Sequence, residues 1–131
     1  NFMNKILVEV SVGELLDKIS ILEIKQEKIK DMESLQFIKD EYNVLKEELD
    51  KNIKTDEILK NLFNSLKEIN SKLWVIEDDK RMCEKNKDFG EKFIKLSRDV
   101  HFLNDDRAKI KLEINNHTGS KIKEIKEYTS Y

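Results

Sequence analysis

Arginine is scarce in this chain, and the few positions it holds are where chemistry is most readily built. Of 25 basic residues only Arg81, Arg98 and Arg107 are arginines. The densest run of reactive side chains is residues 73–81, LWVIEDDKR. On a helix Glu77 and Arg81 stand one turn apart in the favourable orientation, with Trp74 and Asp78 in the adjacent row. Such a set can wall a pocket beside an aromatic ring. The plainer alternative is a surface ion pair with a tryptophan at the edge of an apolar stripe, since structural ion pairs gather charges the same way. Arg107 is the more informative residue, because it stands in a stripe whose neighbouring members are Leu103 and Ile110. A buried guanidinium must be paired and hydrogen-bonded or several kcal/mol are lost. Folding the chain back about residue 88 sets Asp78 opposite Arg98 and places Arg107 level with residues 69 and 70. The carboxylate for Arg107 must then come from another helix, with Glu14, Asp17 and Glu23 as candidates. Arg107 is therefore expected to be mostly buried and bonded to a carboxylate of a different helix, as a register device or an anion site. Snorkelling to solvent is the alternative.

Metal chemistry has little to stand on. All-α nucleotide pyrophosphohydrolases hold Mg²⁺ with E-x-x-E and E-x-x-D pairs on facing helices. Glu14-x-x-Asp17 is half of that pattern, but Asp78-x-x-Arg81 puts a cation where the second carboxylate belongs. Cys83, His101 and His117 lack zinc-ligand spacing. His117 suits a helix C-terminus, where its charge complements the dipole. No P-loop or GxGxxG occurs, and no Ser or Cys neighbours a plausible base. The expectation is no metal and no cofactor.

The elements that must position these residues are helices. The chain has no proline and three glycines, with 40% charged and 38% hydrophobic residues, the composition of long amphipathic helices. Residues 5–10 (KILVEV) read as a short extended segment. Ser11 then opens the first helix, with Glu14 at capping-box spacing. That helix carries Val12, Leu15, Ile19, Leu22 and Ile29 as a stripe with Gln26 in its gap, while Ile21 and Ile24 fall on a second face. A helix apolar on two faces is central in its bundle or covered by another chain. A second helix over about 35–51 carries Leu35, Ile38, Tyr42, Leu45 and Leu49. Thr55 is the expected N-cap of a long third helix over roughly 56–86, about 46 Å at 1.5 Å per residue. Its stripe is Leu59, Leu62, Leu66, Ile69, Leu73, Ile76, Lys80 and Cys83. After a break at 87–90, a fourth helix carries Phe93, Leu96, Val100, Leu103, Arg107, Ile110 and Ile114, with Phe89 in phase just outside it and Gly119 placed for a left-handed cap. Alternating 3,4 spacing on four segments predicts an all-α fold: an antiparallel bundle of about four helices with coiled-coil-like packing and a short extended N-terminal segment.

Residues 1–131 read as a single helical domain, with 121–131 a frayed tail. Met3 reads as the native start, and Asn1 and Phe2 as additions to it. A net charge of −2 with interspersed Lys and Glu argues against nucleic acid as a partner. The apolar run at 6–10 is too short for a signal peptide or a membrane span. One cysteine, Cys83, fits a reducing compartment, so a cytoplasmic location is expected.

Residues 8–25 (VEVSVGELLDKISILEIK), 73–81 (LWVIEDDKR) and 102–115 (FLNDDRAKIKLEIN), with Thr118-Gly119-Ser120 and a tail ending in Ser-Tyr, resemble a small bacterial family, domain of unknown function 6165. Residues 30–71 carry no recognisable pattern. The resemblance implies membership without an assigned activity, so no residue role carries over. It also implies a setting among genes for surface polysaccharides.

Two functions of different class follow. The favoured one is a non-enzymatic helical interaction module that self-associates as a homodimer, with room for another protein partner. Ile21, Ile24 and residues 6–10 are apolar surface in need of cover. The alternative is a small enzyme or anion-binding protein, with Arg81, Arg98 and Arg107 around a carboxylated or phosphorylated ligand and Glu77 or Asp78 as acid or base. A concave pocket in which these side chains converge favours the second; a packed seam or subunit contact favours the first.

Overall fold

The computed structural model describes residues 4–122, 125–127 and 129–130. They form a four-helix bundle: α1 (Val12–Lys28), α2 (Met32–Asn52), α3 (Glu57–Lys85) and α4 (Glu91–Thr118). No strand occurs among the described residues. Residues 4–10 form no regular element, and the described part of the tail is not helical. Asn1, Phe2 and Met3 lie outside the described residues.

Three of the four helices start where the sequence supplies a side-chain cap, and α4 starts at Gly90 without one. Ser11 accepts the Glu14 N–H at 3.0 Å, Asp31 the Ser34 N–H at 2.9 Å, and Asp56 the Leu59 N–H at 2.8 Å. The cap of α3 is thus Asp56 and not Thr55, because a carboxylate one residue closer makes the stronger acceptor for the orphan N–H groups. Asp31 likewise starts α2 three residues earlier than the apolar pattern does. The capping box at α1 is half formed: Ser11 caps, but the Glu14 carboxylate turns away to Lys111 of α4, at 2.7 Å. Gly119 ends α4 with φ 68°, the left-handed cap its position required.

The expected stripes face inward on α2, α3 and α4. Leu49, Leu59, Leu66 and Ile114 are buried with Leu16 and Ile19 of α1 in one apolar core. The core also gathers Tyr42, Leu45, Leu62, Phe63 and Ile110 at its margin. α3 and α4 form a long hairpin turning at residues 86–90. α1 lies along it, antiparallel to α4, and packs on all three other helices, whereas α2 packs on α1. The second apolar face of α1 is explained by that central place: Ile24 is 1% exposed within the chain itself. With 17 residues against 29 and 28, α1 ends well short of the hairpin tip.

Candidate functional site

A stripe that hydrophobicity does not reveal sets the seam between α1 and the hairpin. Gly13, Asp17, Ser20 and Ile24 are spaced four, three and four apart and are all buried, the spacing of a packing seam built mostly from small and polar residues. At its foot the helices almost touch. A Cβ on Gly13 would lie 2.6 Å from the Lys111 carbonyl oxygen, so only glycine fits. The Gly13 N–H donates to Asn115 Oδ1 at 2.7 Å, giving an otherwise orphan donor of the first helical turn a buried partner.

One turn further along, the seam becomes ionic. Lys111, almost wholly buried, donates to Glu14 at 2.7 Å and lies 3.8 Å from Asp17. Asp17 accepts from Asn70 Nδ2 at 2.8 Å; Asn70 also donates to Ser20 Oγ at 2.8 Å, and Ser20 in turn donates to the Asp17 carbonyl. Arg107 closes the set: Nη1 donates to Asn70 Oδ1 at 3.4 Å, and Nε stands 3.9 Å from Asp17. Two carboxylates and two cations from α1 and α4 are thereby knitted through one asparagine of α3. Buried charge is tolerated when it is paired and hydrogen-bonded in this way.

The expectation for Arg107 is met in direction and corrected in degree. Its carboxylate is Asp17 of another helix, one of the three candidates, but the side chain stays 26% exposed and the ion pair is long. Lys111, one turn on, holds the tighter and drier position. The ammonium of Lys111 also stands against both carboxylates of the Glu14-x-x-Asp17 pair.

Beyond Asp17 the two walls part, and a groove of about 380 Å³ opens. Its floor is Ile21, Ile24 and Leu73, with Asn70 and Arg107 at the inner end. Trp74, Glu77, Asp78 and Arg81 stand along the α3 wall. The structure therefore brings four of the sequence-selected residues together beside Arg107, with Asp17 just beneath through Asn70. Arg98 is elsewhere: its guanidinium lies over the Phe102 ring at 5.9 Å, on a shallow face of α4. The ion pair of Asp78 with Arg98 is not formed, because the hairpin turns these side chains onto different faces. Nor is the Glu77–Arg81 pair closed. Among the described residues Glu77, Asp78 and Arg81 make no ion pair.

Two smaller clasps frame the site. Lys67 of α3 holds Glu23 and Glu27 of α1 at 3.1 and 2.8 Å, and Tyr42 donates to Glu23. Hydrogen bonding and attraction from Lys67 hold the Glu27 carboxyl below its ordinary value, and the Glu27 hydrogen bond leads those that raise Lys67. Burial, followed by the charge of Glu23, raises the Tyr42 phenol. At the far end His117 Nε2 lies 2.8 Å from Asp56, tying the end of α4 to the cap of α3.

Sequence reasoning missed Lys111, Ser20 and Asn115; the fold-back register sets Arg107 level with Asn70, whose Oδ1 it reaches. The available signal was the four-three-four spacing of Gly13, Asp17, Ser20 and Ile24, with Arg107 and Lys111 one turn apart on the partner helix.

The architecture is a helical bundle in which a dry ionic seam runs into an open amphipathic groove. The chain belongs to a family of unknown function, DUF6165, whose model matches residues 6–131. No curated protein and no solved structure matches it. No helix among the described residues is long and apolar enough to cross a membrane.

Proposed function

We propose that this protein is a small binding module whose groove receives an acidic sugar. The observation that carries the reading is the groove itself: an apolar floor and Trp74 beside charged side chains, of which Glu77, Asp78 and Arg81 make no ion pair among the described residues. Trp74 offers its ring to the C–H face of a sugar. Glu77 and Asp78 accept from hydroxyl groups. Arg81 and Arg107 receive the acid group, for which a guanidinium fork is the best-shaped donor. Two acidic and two basic groups make the lining roughly neutral, so a simple anion has less to gain there than a ligand carrying both an acid and hydroxyl donors. The volume suits a small ligand. A surface-polysaccharide setting agrees with this chemistry. Glu77 and Asp78 serve here as acceptors, and no bond of the ligand need be broken.

Trp74 is the single tryptophan, so its fluorescence reports the groove alone. Glucuronate and galacturonate at millimolar concentration should change that emission saturably, while glucose and inorganic phosphate should act far more weakly. Arg81→Gln should weaken the uronate response about tenfold, the size of one charge-assisted contact. Absence of any saturable change, or a response indifferent to Arg81→Gln, overturns the reading.

Self-assembly is a second reading with its own support. Ile21 and Ile24 both line the groove, Ile24 being buried within the chain, and residues 6–8 remain open to solvent.

A further inference from the structure

We propose that residues 5–9 form an antiparallel two-stranded pairing with the same segment of a second copy, centred on Leu7. The segment is extended in preference: every residue from Ile6 to Val10 except Glu9 is a branched aliphatic. Ile6, Leu7 and Val8 are 88%, 85% and 73% exposed, which no other three consecutive apolar residues of the described chain approach. Among the described residues, none makes a hydrogen bond to the backbone of residues 5–10. A row of free N–H and C=O groups on a β-prone apolar segment is a template for another strand.

The base of the segment is fixed. Ser11 is buried and caps α1, and the next turn is bonded to α4 through Gly13 and Asn115. The segment therefore leaves the bundle from a rigid point.

The sequence then selects the partner. Pairing the segment with itself about Leu7 sets Lys5 opposite Glu9 of the second copy, twice by symmetry, and Ile6 opposite Val8, also twice. Opposite charges and branched apolar residues are the favourable directly opposed pairs. Alternation puts Ile6 and Val8 of both copies on one face of the ribbon. Shifting the register by one residue breaks both charge pairs and mixes the faces. An isologous contact of this kind closes as a dimer and leaves no free copy of the pairing edge. A two-stranded ribbon is marginal in isolation, so the dimer is weak and concentration-dependent, dissociating in the micromolar range or above.

The test is a charge swap read by sedimentation equilibrium on the full chain. Lys5→Glu and Glu9→Lys, each placing like charges opposite one another twice per dimer, should each weaken association about tenfold. The double variant should restore it. Leu7→Cys should form a disulfide-linked dimer under mild oxidation, because directly opposed residues of an antiparallel pair lie within disulfide reach; the native Cys83 is buried and does not compete. A wild-type chain that stays monomeric at the highest concentrations reached overturns the proposal, and so does pairing within one chain, which gives no Leu7→Cys link. A dimer in which the single and double swaps behave alike also overturns it.

Discussion

α1 meets the α3–α4 hairpin in two places and handles charge in opposite ways at each. At Gly13–Asp17 the helices are in contact, and Glu14, Asp17, Lys111 and Arg107 meet in a mutually compensated set with Asn70. Half of α1 further on, the same helix contributes only Ile21 and Ile24, and the charges opposite, Glu77, Asp78 and Arg81, are exposed and unpaired. The difference comes down to a few side chains. Gly13 allows close approach at the first place, whereas Trp74 and two isoleucines line the second. Ionic groups in the closed seam fix which residues face each other. Glu77, Asp78 and Arg81 in the open groove make no ion pair among the described residues.

The comparison is broken most severely at Asp17. Replacing it with alanine removes the carboxylate that Lys111, Arg107 and Asn70 share among the described residues, and should cost about 3 kcal/mol in urea denaturation. Arg107→Ala should cost less, about 1 kcal/mol, because its side chain is a quarter exposed and its ion pair long. A loss at Arg107 equal to that at Asp17 would place the weight of the seam on the guanidinium and not on Lys111. Gly13→Ala tests close approach without touching charge. Its methyl would meet a backbone carbonyl that cannot swing aside, so a loss of about 2 kcal/mol is expected, with α1 displaced from α4. A neutral Gly13→Ala would mean the seam is looser than its geometry.

A smaller effect separates the His117 clasp from both regions. The Leu59 N–H, followed by the hydrogen bond to His117, holds the Asp56 carboxyl below its usual 3.8. A depressed folded-state pKa stabilises the fold above the unfolded value, and that contribution is lost as pH falls through the folded one. Thermal unfolding should therefore show an acid-side loss below pH 3.8 that Asp56→Asn reduces. An unchanged acid limb in Asp56→Asn would remove the clasp from the account.

Hydrophobic periodicity made the architecture legible. Every predicted stripe residue of α2, α3 and α4 is buried or partly buried, with Lys80 and Arg107 carried along at partly buried positions, because the stripes are otherwise apolar and apolar burial dominates their placement. The groove was half legible for a related reason. Trp74, Glu77, Asp78 and Arg81 share one stretch of α3, so their proximity is local, whereas Arg98 required a rotation of α4 that the fold-back register could not supply. The seam was legible only at Arg107, whose partner Asp17 was among the candidates and whose neighbour Asn70 the fold-back register supplied; Gly13 and Ser20 look like a solvated face until a second helix covers them. Arg107 drew notice only because leucine and isoleucine flank it; Lys111, in better geometry, is one lysine among many.

The most direct measurement sets the two regions side by side: the urea-unfolding free energy of Asp17→Ala against that of the triple variant Glu77→Gln, Asp78→Asn, Arg81→Gln. The triple variant should stay within about 0.5 kcal/mol of wild type, as exposed and unpaired groups do, while Asp17→Ala loses about 3 kcal/mol. A triple variant that falls as far as Asp17→Ala would show that the groove charges hold the fold together, and the distinction between seam and groove would be wrong.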